Sequence, residues 1–144
     1  MSPRRPKIAI INSSAEVVGL LVEWFVADGM DAVGAEVRDF RGGRRSIEDF
    51  LAQERPDVIL WDVALPYAPN WAYLKHILGR RDLRLPPLLV TTTNRAALYE
   101  MTGETVEVFE IVGRPFDLEA LTAAVHRAIG WQPHPRTELV HGAR

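Results

Sequence analysis

The sequence predicts a single α/β domain built on a mainly parallel sheet with helices on both faces. Three observations carry this. The chain has 144 residues, 47% of them hydrophobic, which is enough apolar material for a real core. Short apolar runs alternate with longer segments of helical period, and five such repeats can be read, the pattern of βαβ units. The run at 58–61 is apolar throughout rather than alternating, as a strand covered on both sides must be.

Residues 8–11 form the first strand. Ser13 followed by Glu16 then reads as a capping box opening a helix that runs to Asp28 and is closed by Gly29. Val17, Val18, Leu21, Trp24 and Phe25 follow helical spacing, while Leu20, Val22 and Val26 widen the apolar stripe beyond what one sheet face needs. The alternating segment 32–37 reads as an edge strand, and 38–45, with Gly42 and Gly43, reads as a loop. A second capping box, Ser46 with Asp49, opens a helix carrying Ile47, Phe50 and Leu51 that stops before Pro56. The central strand 58–61 ends at Asp62, and a third helix spans 70–78 with Trp71, Leu74, Ile77 and Leu78 inward. After Pro86 and Pro87 come a strand at 88–91, a helix at 95–101, a strand at 108–112 and a last helix at 118–129 with Leu118, Leu121, Val125 and Ile129 at core spacing.

Composition excludes several classes. A formal net charge of −2 offers no broad attraction to a polyanion, and the clusters Arg4, Arg5, Lys7 and Arg41, Arg44, Arg45 read as solvated loops. Cysteine is absent, so disulfides and thiolate metal sites are out. The apolar run at 8–11 is too short for a signal peptide, and the stretch 17–27 is broken by Gly19 and Glu23, so neither secretion nor membrane insertion is expected and the location read is cytoplasmic. His76, His126, His134 and His141 lack metal-ligand spacing, and His126 reads as a solvated side chain. No phosphate-binding loop or dinucleotide fingerprint is present.

In open parallel sheets the chemistry gathers beyond the carboxyl ends of the strands. Asn12, Ser13, Asp62, Thr91, Thr92 and Arg114 each follow a predicted strand end and are expected to converge. The sequence from Asp62 through Val63, Ala64 and Leu65 to Pro66, then Leu89-Val90-Thr91, then Gly113-Arg114-Pro115-Phe116-Asp117-Leu118, resembles the receiver domain of two-component response regulators of the chemotaxis-regulator type. The resemblance covers about 7–130. It implies a three-layer, doubly wound, flavodoxin-like receiver fold with five parallel strands in the order 2-1-3-4-5, a receiver-like domain over 1–130, and a loosely ordered tail over 131–144.

By the same resemblance, Asp62 matches the aspartate that accepts a phosphoryl group and Thr91 the hydroxyl residue that contacts it. Such domains carry two acidic residues after the first strand, which hold Mg²⁺ together with the acceptor. Asn12 and Ser13 stand there instead, so Mg²⁺ binding is expected to be weak or absent, with no other cofactor. Arg114 replaces the usual lysine and is expected to pair with Asp62, and a cis bond is expected at Arg114–Pro115. The switch aromatic falls near Ile111, and the glycine normally found eight residues after the acceptor is Asn70.

The function implied is that of an atypical, stand-alone receiver in phosphorelay-type signalling, which is not an enzyme and acts through protein contacts. The partner is a histidine kinase, a downstream signalling protein or a second copy of the chain. Tyr99, Glu110 and Arg127 are candidate contact residues, with the apolar stripe of the first helix as the alternative surface. Direct nucleic-acid binding is not expected, since about fourteen residues follow Gly130. A receiver that still accepts phosphate weakly at Asp62 is the nearest alternative. A flavodoxin-like flavin-binding protein, its phosphate at the first helix N-terminus, is the alternative from another class, disfavoured because no glycine permits close approach there.

Overall fold

In the computed structural model, described for residues 4–94, 96, 98, 100, 110–113 and 117–130, five parallel strands form one sheet in the order β2-β1-β3-β4-β5. The chain runs β1 (Lys7–Asn12), α1 (Ala15–Ala27), β2 (Asp31–Glu36), α2 (Val37–Arg41), α3 (Ile47–Glu54), β3 (Val58–Val63), α4 (Tyr67–Leu78), β4 (Leu88–Thr92), β5 (Glu110–Gly113) and α5 (Leu118–Ile129). Ala96, Leu98 and Glu100 are helical as well, within the helix expected after β4. The predicted fold class and strand order are therefore observed.

The sheet divides the core into two layers because successive strand residues point to opposite faces. Ala9, Ile11, Ile59, Trp61, Val63, Leu88 and Val90 face one cluster with residues of α2, α3 and α4. Ile8, Ile10, Val58, Leu60 and Leu89 face the other with Leu21 and Phe25 of α1 and Leu121, Ala124 and Val125 of α5. All six residues of β3 are buried, as its unbroken apolar run requires.

Four local expectations are corrected. The N-cap of α1 is Ser14, whose hydroxyl accepts from the Val17 N–H at 3.2 Å, not Ser13. Asn12 Oδ1 accepts from the Ser14 N–H at 3.0 Å, and this side-chain turn delays the helix by one residue. The segment 38–45 is not all loop: Val37 and Phe40, three apart, are both buried, so one helical turn lets α2 put both into the core. Helix α4 begins at Tyr67 rather than Asn70. Pro69 falls in its first turn, where the backbone N–H groups have no intrahelical partner to lose. Finally, His126 is not solvated: its Nε2 lies 2.7 Å from Asp28 Oδ2, with both side chains mostly covered.

Other expectations hold. Ser46 caps α3, accepting from the Asp49 N–H at 3.1 Å. The end of α1 closes with Gly29 at φ 101°, its N–H reaching the Val26 carbonyl and that of Met30 the Phe25 carbonyl, the paired bonds of a Schellman motif that only glycine joins without strain. Two polar bridges one helical turn apart join α1 to α5: Asp28 to His126, and Trp24 Nε1–H to Thr122 Oγ1 at 2.6 Å. Leu20 and Val26 are 58% and 50% exposed, so part of the wide apolar stripe does face outward, whereas Val22 packs against the core. Among the described residues no helix is long and apolar enough to cross a membrane.

Candidate functional site

The described polar residues that the fold withdraws from water are few, and they concentrate at one place. Asn12, Asp62, Thr91 and Thr92 are 4%, 3%, 2% and 0% exposed, and each sits at the carboxyl end of β1, β3 or β4. Register brings them together. Ile11 pairs with Trp61 on the neighbouring strand, which sets Asn12 at the level of Asp62, and Asp62 itself pairs with Thr91. Period two then places Asn12, Asp62 and Thr91 on the same face, the one that carries α1 and α5.

The Thr91 hydroxyl donates to Asp62 Oδ1 at 2.5 Å, a buried hydrogen bond between the two strands. A charge-assisted bond of this length is among the stronger ones a protein makes. Thr92 Oγ1 accepts from the Asn94 N–H at 3.3 Å, turning the chain as it leaves β4. Asn12 is used locally, its side-chain oxygen bound to the Ser14 N–H, and Ser13 is exposed.

A shallow cleft opens beside the carboxylate, lined by Ser13, Val37, Trp61, Asp62, Ala64 and Asn70. Its walls come from different elements. Val37 belongs to α2 and Asn70 to α4, while Trp61 is held from behind by Tyr73, their rings 6.1 Å apart. Asn70 Nδ2 donates to the Ala64 carbonyl at 2.9 Å, and Asn70 Oδ1 accepts from Arg41 Nη1 at 2.5 Å. Tyr67, which opens α4, and Thr93, just past β4, are hydrogen-bonded through their hydroxyls. The peptide bond Leu65–Pro66 is cis, and Leu65 is 70% exposed.

The structure thus gathers five of the sequence-predicted site residues, Asn12, Ser13, Asp62, Thr91 and Thr92, at one end of the sheet. Arg114 and Pro115, with their expected ion pair and cis bond, lie outside the described residues, as does Tyr99. Glu110 opens β5, described there through its backbone alone, and Arg127 is exposed on α5. Sequence reasoning did not place Val37, Arg41 or Asn70 in the site. Asn70 was visible as a departure from the resembled pattern, but nothing in the sequence announced its two bonds. Among the described residues no three Asp, Glu, His or Cys side chains come together as a group that could hold a metal ion.

The chain matches no protein-family model. It is similar to the DNA-binding transcriptional regulator NtrC of Escherichia coli, at 27% identity over 124 residues, which is 84% of this chain and 26% of that protein. The same regulator from Salmonella typhimurium is also similar at 27%. The match therefore spans about a quarter of the curated relatives' length. Among solved structures, the BeF3-activated N-terminal receiver domain of Klebsiella pneumoniae RstA superposes with a TM-score of 0.67 at 18% identity, covering 87% of this chain and 99% of that one. Vibrio cholerae chemotaxis response regulator CheY4 gives 0.67 at 20% identity over 87% and 99%. The non-phosphorylated HemR receiver domain of Leptospira biflexa gives 0.65 at 20% over 91% and 100%.

Proposed function

We propose that this chain, which has the receiver-domain fold, serves in phosphorelay-type signal transduction as an atypical receiver that acts through protein contacts and does not depend on Mg²⁺-assisted phosphorylation. The carrying observation is the donor set around Asp62. A metal-assisted phosphoryl transfer needs a hard cation held by several oxygen donors, with anionic charge enough to strip part of its water. Among the described residues Asp62 is the one carboxylate lining the cleft, and its Oδ1 already takes the Thr91 hydroxyl. Asn12 is neutral and its oxygen is bound to the Ser14 N–H; Ser13 is a neutral, exposed hydroxyl. These residues do not fit Mg²⁺.

What supports this reading is a polar centre beside a cleft, with Leu20 and Val26 of α1 exposed on the outer surface. The partner is a histidine kinase, a downstream signalling protein or a second copy, with Tyr99, Glu110 and Arg127 as contact residues. The reading is of a binding module without catalytic turnover, in the cytoplasm, with no nucleic-acid contact of its own. Incubation with acetyl phosphate, with and without millimolar Mg²⁺, followed by intact-mass measurement, tests it. The expected result is no Mg²⁺-dependent phosphoryl adduct. An adduct that requires Mg²⁺ and disappears in Asp62→Ala would replace this reading with that of a weakly phosphorylatable receiver.

A further inference from the structure

We infer that Arg41 is a positioning residue of the Asp62 cleft, holding its two walls at a fixed separation through Asn70. The inference rests on reading Asp62 as the centre of the site. Helix α2, absent from the sequence-based expectation, lines the cleft through Val37, and α4 lines it through Asn70. Arg41, the last residue of α2, crosses between them. Its Nη1 donates to Asn70 Oδ1 at 2.5 Å, and its guanidinium carbon stands 5.4 Å from the centre of the Tyr73 ring. Asn70 and Tyr73 are three residues apart on α4 and so share a helix face.

The bridge reaches further. The other side of the Asn70 amide donates to the carbonyl of Ala64 at 2.9 Å, two residues beyond Asp62 on the segment that leaves β3. An amide bonded at both ends cannot rotate without breaking both contacts. The backbone after Asp62 is therefore tied, through the Asn70 side chain, to Arg41 of α2. At the base of the bridge, Val37 and Phe40 bury α2 in the core, so the anchor does not drift. A planar fork that both hydrogen-bonds and stacks suits arginine and not lysine. With Asn70 where a glycine is usual, Arg41 turns the departure into a strut. Removing the strut frees the 62–70 segment and widens the mouth over Asp62.

Amide hydrogen exchange of the full chain, read by mass spectrometry on a peptide covering 62–70, tests this without metal or phosphodonor. Arg41→Ala should accelerate exchange there by about threefold, the loss of one exposed hydrogen bond, and Asn70→Ala by more, since it also loses the bond to Ala64. Because Arg41 acts through Asn70, the double variant should exchange no faster than Asn70→Ala alone. Arg41→Lys should fall between wild type and Arg41→Ala. A peptide covering 118–129, on the opposite sheet face, should be unchanged and so reports an intact fold. Exchange of 62–70 in Arg41→Ala within about twofold of wild type, or additive effects in the double variant, overturns the inference. A Mg²⁺-dependent adduct on Asp62 would sink the functional reading and leave this result standing, and the reverse also holds.

Discussion

At the amino end of the strands, Arg4, Lys7, Glu54 and Asp57 meet in partly exposed ion pairs, with Arg4 to Asp57 at 2.9 Å and Lys7 to Glu54 at 3.1 Å. At the carboxyl end, Asn12, Asp62, Thr91 and Thr92 are almost wholly covered, and the bond between Asp62 and Thr91 is buried. Charges that stay in water gain little from meeting and lose little on separation. A carboxylate taken out of water is costly unless its oxygens are bonded, so the residues around it become specific and sensitive to change. The buried carboxyl-end cluster should therefore tolerate little substitution, and the partly exposed pairs at the start of β1 and β3 much more.

The largest effect should come from the wall of the carboxyl-end cleft. Trp61 is 2% exposed, and Trp61→Ala should cost about 3–5 kcal/mol in urea unfolding, since it removes a large side chain and leaves a cavity. A loss under about 1 kcal/mol would show that the core collapses around the site without harm. Next, Thr91→Val keeps a β-branched shape in the strand and removes the hydroxyl donated to Asp62 Oδ1. It should destabilise by about 1–3 kcal/mol, the cost of withdrawing a donor from a buried polar group. A neutral result would place Asp62 in contact with enough water to replace it.

The amino end should respond least. Burial alone would raise the Asp57 carboxyl, but the hydrogen bond from Arg4, the Lys7 backbone N–H and the charges of Arg4 and Lys7 outweigh it and hold the group below its ordinary value. A folded-state depression means that its stabilisation is present above the unfolded pKa, about 3.9, and fades as pH falls through the lower folded value. Asp57→Asn should therefore cost under about 1 kcal/mol at neutral pH, and the gap to wild type should close on acidification. A gap that widens toward low pH would contradict the assignment.

Much of this organisation was legible before the fold was known. The unbroken apolar run of β3 announced a central strand, and its end at Asp62 announced where the buried polar cluster lies, because period and burial are written directly in residue type. The match of Asp62, Thr91 and the Arg114-Pro115 segment to the receiver pattern then supplied strand order. What stayed hidden depends on contacts between elements. Helix α2 is one turn held by tertiary burial of Val37 and Phe40, too short to show a period of its own. The Asp28 to His126 bridge joins residues 98 apart in sequence, so His126 read as solvated. The double bond of Asn70 depends on Arg41 and Ala64 arriving from other elements, and the shift of the N-cap from Ser13 to Ser14 turned on the Asn12 side chain.

The claim that the Asp62 centre has dispensed with Mg²⁺ is tested most directly by titrating the protein with MgCl₂ while following backbone amide shifts. The Asn12→Asp/Ser13→Asp double variant, which restores two carboxylates beside Asp62, is run in parallel. No saturable shifts are expected at residues 12, 13, 62 and 63 of the wild type through millimolar Mg²⁺, and saturable shifts are expected at the same residues in the double variant. Saturation in the wild type, abolished by Asp62→Ala, would contradict the claim.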